Sequence, residues 1–455
     1  MRLSGWQSLA VSSVLLCALA AGETRPQYGS TLRMATRIAP QTLDPADKSQ
    51  PDSVSRRNLI RLMFETLVVL DDRGRLQPAL ATSWQAAPGN QRWQFWLRRG
   101  VKFHDGSPLT AEAVAAAIRS ANPDWNVSPA PDSVVIERDS GDPDLAARLA
   151  QPRNAITKRS EGGTLIGTGP FHIANWQPGK RLALTSAEGY WGGRAFVDTI
   201  EIEFGKPARD QLMTLDLGKA DIAEVAVEQS HRAATEGRRV VSSSPVELMA
   251  LVFTRDRTSP DDGKLREALA LSIDRKAIRN VVLQDAGEAS GGILPNWVSG
   301  YGFVFGADQN LVRAQQLRNE VKYAPSWTLG YDADDPLARV MAERIALNAR
   351  DAGIRMQVAT SGTIDVRLVR ITLASLNGRI ALSAAAINAG LPAPKMAGIS
   401  VDDLYQVENR MLQSQKIIPL FQLPASYVLG AAVKDWSEDR DGSLHLENIW
   451  LGSKP

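Results

Sequence analysis

VKFHDGSPLTAEAV, residues 101–114, sets a histidine beside an aspartate in a short turn and runs directly into a helix start. Asp105-Gly106 makes the turn, since glycine tolerates the left-handed backbone that tight reversals need. Thr110 stands as N-cap, Glu112 falls in the first turn where the helix dipole favours an anion, and Ala113, Val114, Ala117 and Ile118 recur at helical spacing. His104-Asp105 also has the make-up of a catalytic base with its orienting carboxylate. Such a pair needs a nucleophile, and the chain has no G-x-S-x-G elbow, so the architectural reading of the turn is preferred.

Outward from that turn, strands and amphipathic helices mix along the chain. WQFWLRRGVKF alternates Trp93, Phe95 and Leu97 against Gln94, Trp96 and Arg98, a strand with one buried face. Upstream, STLRMATRI reads as a strand, three prolines then break the chain, and a helix is expected from Ser53 to about Leu70, ended by the turn Asp71 to Gly74. Downstream, Ser120 to Asp144 reads as loops around one short strand, SVVIE. Arg181 to Ala187 and Phe196 to Phe204 read as strands joined through Gly192 and Gly193. One helix is expected from about Gly263 to Leu283, and another from Pro336 to Gly353 with Leu337, Val340, Met341 and Ile345 inward. The fold class is therefore α/β, with α+β mixing.

The 455 residues suffice for several cores, and 52 basic against 50 acidic residues leave a charge of only +2. No basic field is available to hold nucleic acid or an anionic membrane. MRLSGWQSLAVSSVLLCALAAG, residues 1–22, has an early cation, an apolar run and small residues at its end, the pattern of a secretory signal peptide. The single cysteine, Cys17, lies within it; lipidation there is the alternative, opposed by the bulky Leu16 just before it. Beyond that segment there is no thiol for a disulfide or a thiolate metal site.

Other chemical signals are weak. The four histidines, His104, His172, His231 and His445, lie far apart with no metal-binding spacing, so no metal and no cofactor are expected. EGGTLIGTGPFH, residues 161–172, resembles a phosphate loop only at first sight. Thr168 stands where the lysine must be, and Pro170 removes a backbone donor. Asn126-Val-Ser matches a glycosylation acceptor, a common chance match. Of eleven tryptophans, Trp297 is singled out for a ligand loop because GGILPNWVSGY sets it among glycines and a proline.

Four segments then resemble, in order, the family 5 extracellular solute-binding proteins. They are LATSWQAAPGNQRWQFWLRRGVKFHDGSPLTAEAV, GTGPFHIANWQPGKRLALTSAEGYWGG, LREALALSIDRKAI with GILPNWVSGY, and IPLFQLPASYVLGAAVKDW. The resemblance implies a two-lobed, periplasmic-binding-protein-like fold (type II, cluster C) with an extra inserted domain. The expected division is lobe I at 29–50, 167–254 and 430–455, the inserted domain at 51–166, and lobe III at 255–429. It also implies a periplasmic monomer that takes a small-molecule or peptide ligand by hinge closure and serves the permease of an ABC importer. A secreted hydrolase on the same scaffold, an envelope scaffold or chaperone, and a sensor-type regulator are the rival readings.

By loop position the cleft wall is expected at Ser49, Gln50, Met249, Asn296, Trp297 and Tyr301. Peptide receptors of the family carry a tryptophan and aspartate late in the third lobe, whose carboxylate holds the peptide ammonium. Residues 366–400 here contain neither. Arg367 and Arg370 are the candidates to receive a carboxylate or other anion in its place, the alternative being solvent-facing or ion-paired arginines.

Overall fold

The computed structural model describes residues 25–396 and 398–452; the expected signal peptide and Cys17 lie outside them. One sheet runs through most of the molecule. Across it lie Phe171–Gln177, Arg181–Ser186, Thr199–Glu203, Thr31–Ala35, Ile222–Val225, Ile417–Leu429, Arg239–Phe253, Val366–Thr372, Trp327–Gly330 and Met356–Ala359, with Glu288–Ala289 added beside Ile417–Leu429. Thr31–Ala35 pairs in parallel with both neighbours, whereas the two long central strands pair antiparallel.

Those two strands, Arg239–Phe253 and Ile417–Leu429, contribute to several cores. Their outer portions pair as Arg239 with Leu429 and Ser242 with Ser426, next to Ile222–Val225. There Tyr427 and Leu429 join a core built with Leu32, Phe171, Leu182 and Ile200. Beyond the midpoint the side chains alternate with the pleat. Met249, Leu251 and Phe253 enter one core with Leu269, Trp327 and Met341. Leu248, Ala250 and Val252 enter another with Leu294, Ile371 and Leu382. Between the two regimes the register shifts on both sides of Pro245, which faces Pro424. Neither proline has an N–H for the ladder.

A separate four-stranded sheet, Ala81–Ala86, Arg92–Leu97, Ser133–Glu137 and Asn126–Ala130, is covered by the helix Ala111–Ala121. Trp93 and Phe95 point into its core as their alternation requires, and Thr110 caps the helix by accepting from the Ala113 amide at 3.3 Å. The strand Asn126–Ala130 was not expected; Pro129 obscures it, and it is tolerated because the strand lies at the sheet edge.

Three other expectations need correction. The helix expected to reach Leu70 is Val54–Met63, capped by Ser53, and Val68–Leu70 is a strand paired with Leu76–Pro78. Its Leu59, Ile60, Leu62 and Met63 pack with Leu32 and Phe171, while the inserted core starts at Leu67. The helix expected over Gly263 to Leu283 is two, Pro260–Ser272 and Arg275–Val281. Asp274 breaks it because its carboxylate caps the second helix through the Ala277 amide at 2.8 Å. Val340 is 47% exposed, and Ala338 and Ala342 complete the buried stripe of Pro336–Asp351 in its place.

Candidate functional site

The opening turn is structural. Asp105 Oδ1 accepts from the Ser107 amide at 3.0 Å and its hydroxyl at 2.6 Å, Gly106 sits at φ 82°, and Lys158 lies 2.9 Å from Asp105 Oδ2. His104 Nε2 lies 3.0 Å from the Gly169 carbonyl, and Nδ1 accepts from the Gly167 amide at 3.3 Å. Both ring nitrogens thus face backbone, which fixes the Nε2–H tautomer, and burial pushes the imidazole pKa down to about 4. A neutral ring locked between two glycines binds the inserted domain to the segment returning from it.

Gly167 and Gly169 are needed for close approach. A Cβ on Gly167 would stand 2.3 Å from the Met63 carbonyl oxygen, and one on Gly169 would stand 2.6 Å from the Met63 carbonyl carbon. The GTGP segment crosses the C-terminal end of Val54–Met63, where the Gly169 amide donates to the Met63 carbonyl at 3.1 Å. Beside it, the half-buried Glu65 carboxylate accepts from Thr168 (2.7 Å), Tyr190 (2.9 Å) and Trp191 (3.0 Å), and desolvation raises its pKa.

A polar cavity lies elsewhere, between the four-stranded-sheet domain and the segment that includes Arg379 and Met396. It encloses ≈ 510 Å³, with Trp125, Arg138, Asp142, Arg148 and Arg153 among its residues on one side and Arg379, Ser383, Ile387, Pro394 and Met396 on the other. Asp142 Oδ2 accepts from Arg138 Nη1 at 2.8 Å and Arg148 Nε at 2.9 Å, while Asp142 Oδ1 takes the Asp144 amide at 3.0 Å. Asp144 then reaches across the gap. Its Oδ2 accepts from Arg379 Nε at 2.8 Å, and its Oδ1 from Asn377 Nδ2 at 3.2 Å. Nearer the paired prolines, Thr372 Oγ1 donates to the Asp52 carbonyl at 3.1 Å, and Arg57 Nη1 to the Leu373 carbonyl. These contacts hold the two sides together.

The residues expected to form the cleft wall are placed differently. Met249 has no exposed surface and belongs to the third-lobe core. Tyr301 is 8% exposed, its hydroxyl donating to Glu408 Oε2 at 2.8 Å, and Glu408 Oε1 accepts the amides of Ile293 and Leu294. Trp297 is half-buried; its Nε1 donates to the Pro245 carbonyl at 2.9 Å, and the Arg440 guanidinium lies 4.7 Å from its ring. Asn296 and Ser49 are exposed, and the Gln50 side chain accepts from the Gln41 amide at 3.2 Å. Arg367 is exposed, whereas Arg370 bonds Glu247 and Asp335 at 2.8 Å each. Burial opposes the charge on Arg370, but these two carboxylates outweigh it and raise its pKa. None of these eight residues lines the ≈ 510 Å³ cavity. Among the described residues no three His, Cys, Asp or Glu converge as metal ligands.

A strand pair shared between separate cores is compatible with a binding protein. Residues 75–397 match the bacterial extracellular solute-binding proteins, family 5 middle. The chain belongs to this family. Among family 5 relatives, the nickel-binding protein NikA of Staphylococcus aureus (strain NCTC 8325 / PS 47) is 25% identical, over 48% of this chain and 48% of that protein. The chain thus matches about half the length of that relative. The "Probable D,D-dipeptide-binding periplasmic protein DdpA" of Escherichia coli K12 is 24% identical over 72% of this chain and 70% of its own. The crystal structure of NikA from Brucella suis in complex with Fe(III)-EDTA superposes with TM-score 0.80 at 18% identity, covering 93% of this chain and all of that one. The family and these structures are of binding proteins, and the two-lobed fold expected from the sequence is the one they share. No helix among the described residues is long and apolar enough to cross a membrane.

Proposed function

We propose that this protein is the extracytoplasmic receptor of an ABC importer, a monomer that encloses a small solute between its lobes and presents the closed form to a membrane permease. The observation that carries the reading is that the strands Arg239–Phe253 and Ile417–Leu429 run from the core around Leu32 and Tyr427 to the core around Met249 and Leu269, so that two bodies share one connecting strand pair. Family membership supports it, as does the strand pair with its register shift at Pro245 and Pro424, a place to bend. A guest that contacts both sides favours the closed form by its differential affinity. Micromolar capture asks for about 8 kcal/mol of net binding free energy, which a desolvated cleft with a few placed polar groups can supply. No bond needs to be made or broken, and His104, the residue best suited to a hydrolase, has both nitrogens engaged by backbone.

The test is mass spectrometry of solute released from natively exported protein, followed by small-angle scattering of the stripped chain with and without that solute. Retention of one chemical class and a smaller radius of gyration on rebinding are expected. An unchanged scattering curve with every fraction, or turnover of the solute, would sink the proposal.

A further inference from the structure

The turn 438–444 meets three cores at one point. Its own body is the core of Leu32 and Phe171, which Leu444 and Leu446 enter. Asn58, on the helix Val54–Met63, fixes the turn there: its Oδ1 accepts the Leu444 amide at 3.1 Å, and its Nδ2 donates to the Gly442 carbonyl at 3.0 Å. Gly442, at φ 80°, lies so close to that helix that a Cβ would stand 2.9 Å from Val54 Cγ1. Arg440 then reaches in two directions. Its amide donates at 2.8 Å to Asp72 Oδ1, in the turn between Val68–Leu70 and Leu76–Pro78, a hairpin whose Val68 belongs to the core of Phe95. Its guanidinium lies 4.7 Å from the Trp297 ring, which packs on the core of Leu294 and Ile371. Trp297 donates in turn from Nε1 to the Pro245 carbonyl at 2.9 Å, at the register shift of the strand pair.

Resting on the receptor reading above, we infer that the turn 438–444 is a strap across the hinge. Seated on Trp297 through Arg440, it holds together the two bodies that the strand pair joins, and through Asp72 it ties that arrangement to the hairpin of the Phe95 core. Any rotation about Pro245 and Pro424 moves Trp297 relative to Arg440, because one belongs to each body. Among the described residues the Arg440 side chain makes no ion pair, so the ring holds it without a competing carboxylate. The seated turn also carries a cost. Glu438 Oε2 and Trp436 Nε1 are buried beside it with no hydrogen-bond partner among the described residues, and lifting the turn would return both to water. A cation on an aromatic face at an exposed site shifts an equilibrium only about two- to five-fold, so the grip is light enough to release.

Pulsed electron–electron distance measurement on the solute-free exported protein tests this, with nitroxides on Ala234→Cys and Val340→Cys, two exposed positions on either side of the strand pair. Arg440→Gln is expected to raise the share of the longer distance by about two- to five-fold, and Arg440→Lys, which keeps a cation over the ring, to leave it as in the parent. Asp72→Ala touches neither Trp297 nor the strands and is expected to act as Arg440→Gln does, while Asp72→Asn keeps an acceptor and stays silent. Arg440 and Asp72 are both exposed, so these variants fold as the parent does. Unchanged distances in Arg440→Gln, or a Lys variant as open as the Gln variant, overturn the strap. A response to Arg440→Gln with none to Asp72→Ala overturns the tie to the hairpin. No solute takes part, so failure of the receptor reading is a different result: retention of nothing, with a shape that no fraction changes.

Discussion

At the scale of single residues, the glycines of GTGP and the histidine of HDG are closely constrained by backbone around them. Gly169→Ala drives a Cβ into the Met63 carbonyl, where backbone on both sides leaves nothing flexible to give. The expected cost is about 2–3 kcal/mol, read as a fall in the denaturant midpoint at constant slope. An unshifted midpoint would show that the close approach is absent in solution. His445 is the residue with a readable pH signature. Asp439 and Glu447 lie 3.0 Å from its two ring nitrogens, and hydrogen bonds to them raise its pKa to about 10. A raised folded pKa stabilises fully below the unfolded value near 6.5, and that stabilisation fades as pH climbs through about 10. His445→Gln should therefore lower Tm by on the order of 2 °C at pH 6, with the gap from wild type closing toward pH 10. A gap that stays constant with pH would mean the imidazolium is not held by those carboxylates. Reading these residues from sequence succeeded where the signal was local. The turn and helix start after His104 depend on neighbours a few positions away, whereas the purpose of Gly167 and Gly169 depends on Met63, far back along the chain.

At the scale of elements, the segment 290–302 shows how a loop rich in glycine and proline becomes rigid. Glu408, fully buried, accepts two of its amides and the Tyr301 hydroxyl, and burial raises the carboxyl pKa. Glu408→Ala leaves those donors without a partner, so a loss of about 2–4 kcal/mol is expected, accompanied by a red shift in Trp297 emission as the loop loosens. Unchanged stability and emission would contradict this account. The composition of the loop suggested mobility and ligand contact, but the residue that fixes it lies on another helix, more than a hundred positions away. The single helix expected over 263–283 failed for a local reason instead: Asp274 is a strong N-cap, and in LSIDRKAI it starts a second helix inside one apolar period.

At the scale of the whole molecule, Asp144 meets Arg379 across the gap between two parts of the fold, 235 positions apart. Their distance in sequence is why the cavity was not legible: neither segment has a motif, and each wall acquires meaning only opposite the other. Of the expected site residues, Met249 and Tyr301 are buried, whereas Ser49, Asn296 and Arg367 are exposed. Arg379→Met removes the cross-gap ion pair, and the side chains concerned are only 16% and 11% exposed. The solute-free variant should be more open, with a larger radius of gyration and weaker dependence of shape on salt. Identical scattering from variant and parent would mean other contacts keep the lobes shut. Topology was readable in outline, since ordered segments distributed over most of the chain carried the family resemblance, and the match over 75–397 agrees with it.

The facing prolines at 245 and 424 carry a mechanical consequence. An unbroken ladder resists bending, because its amide hydrogen bonds would have to break and re-form in register. With no N–H on either proline the ladder is thinner at this point, so bending here disrupts less pairing than it would elsewhere along the two strands.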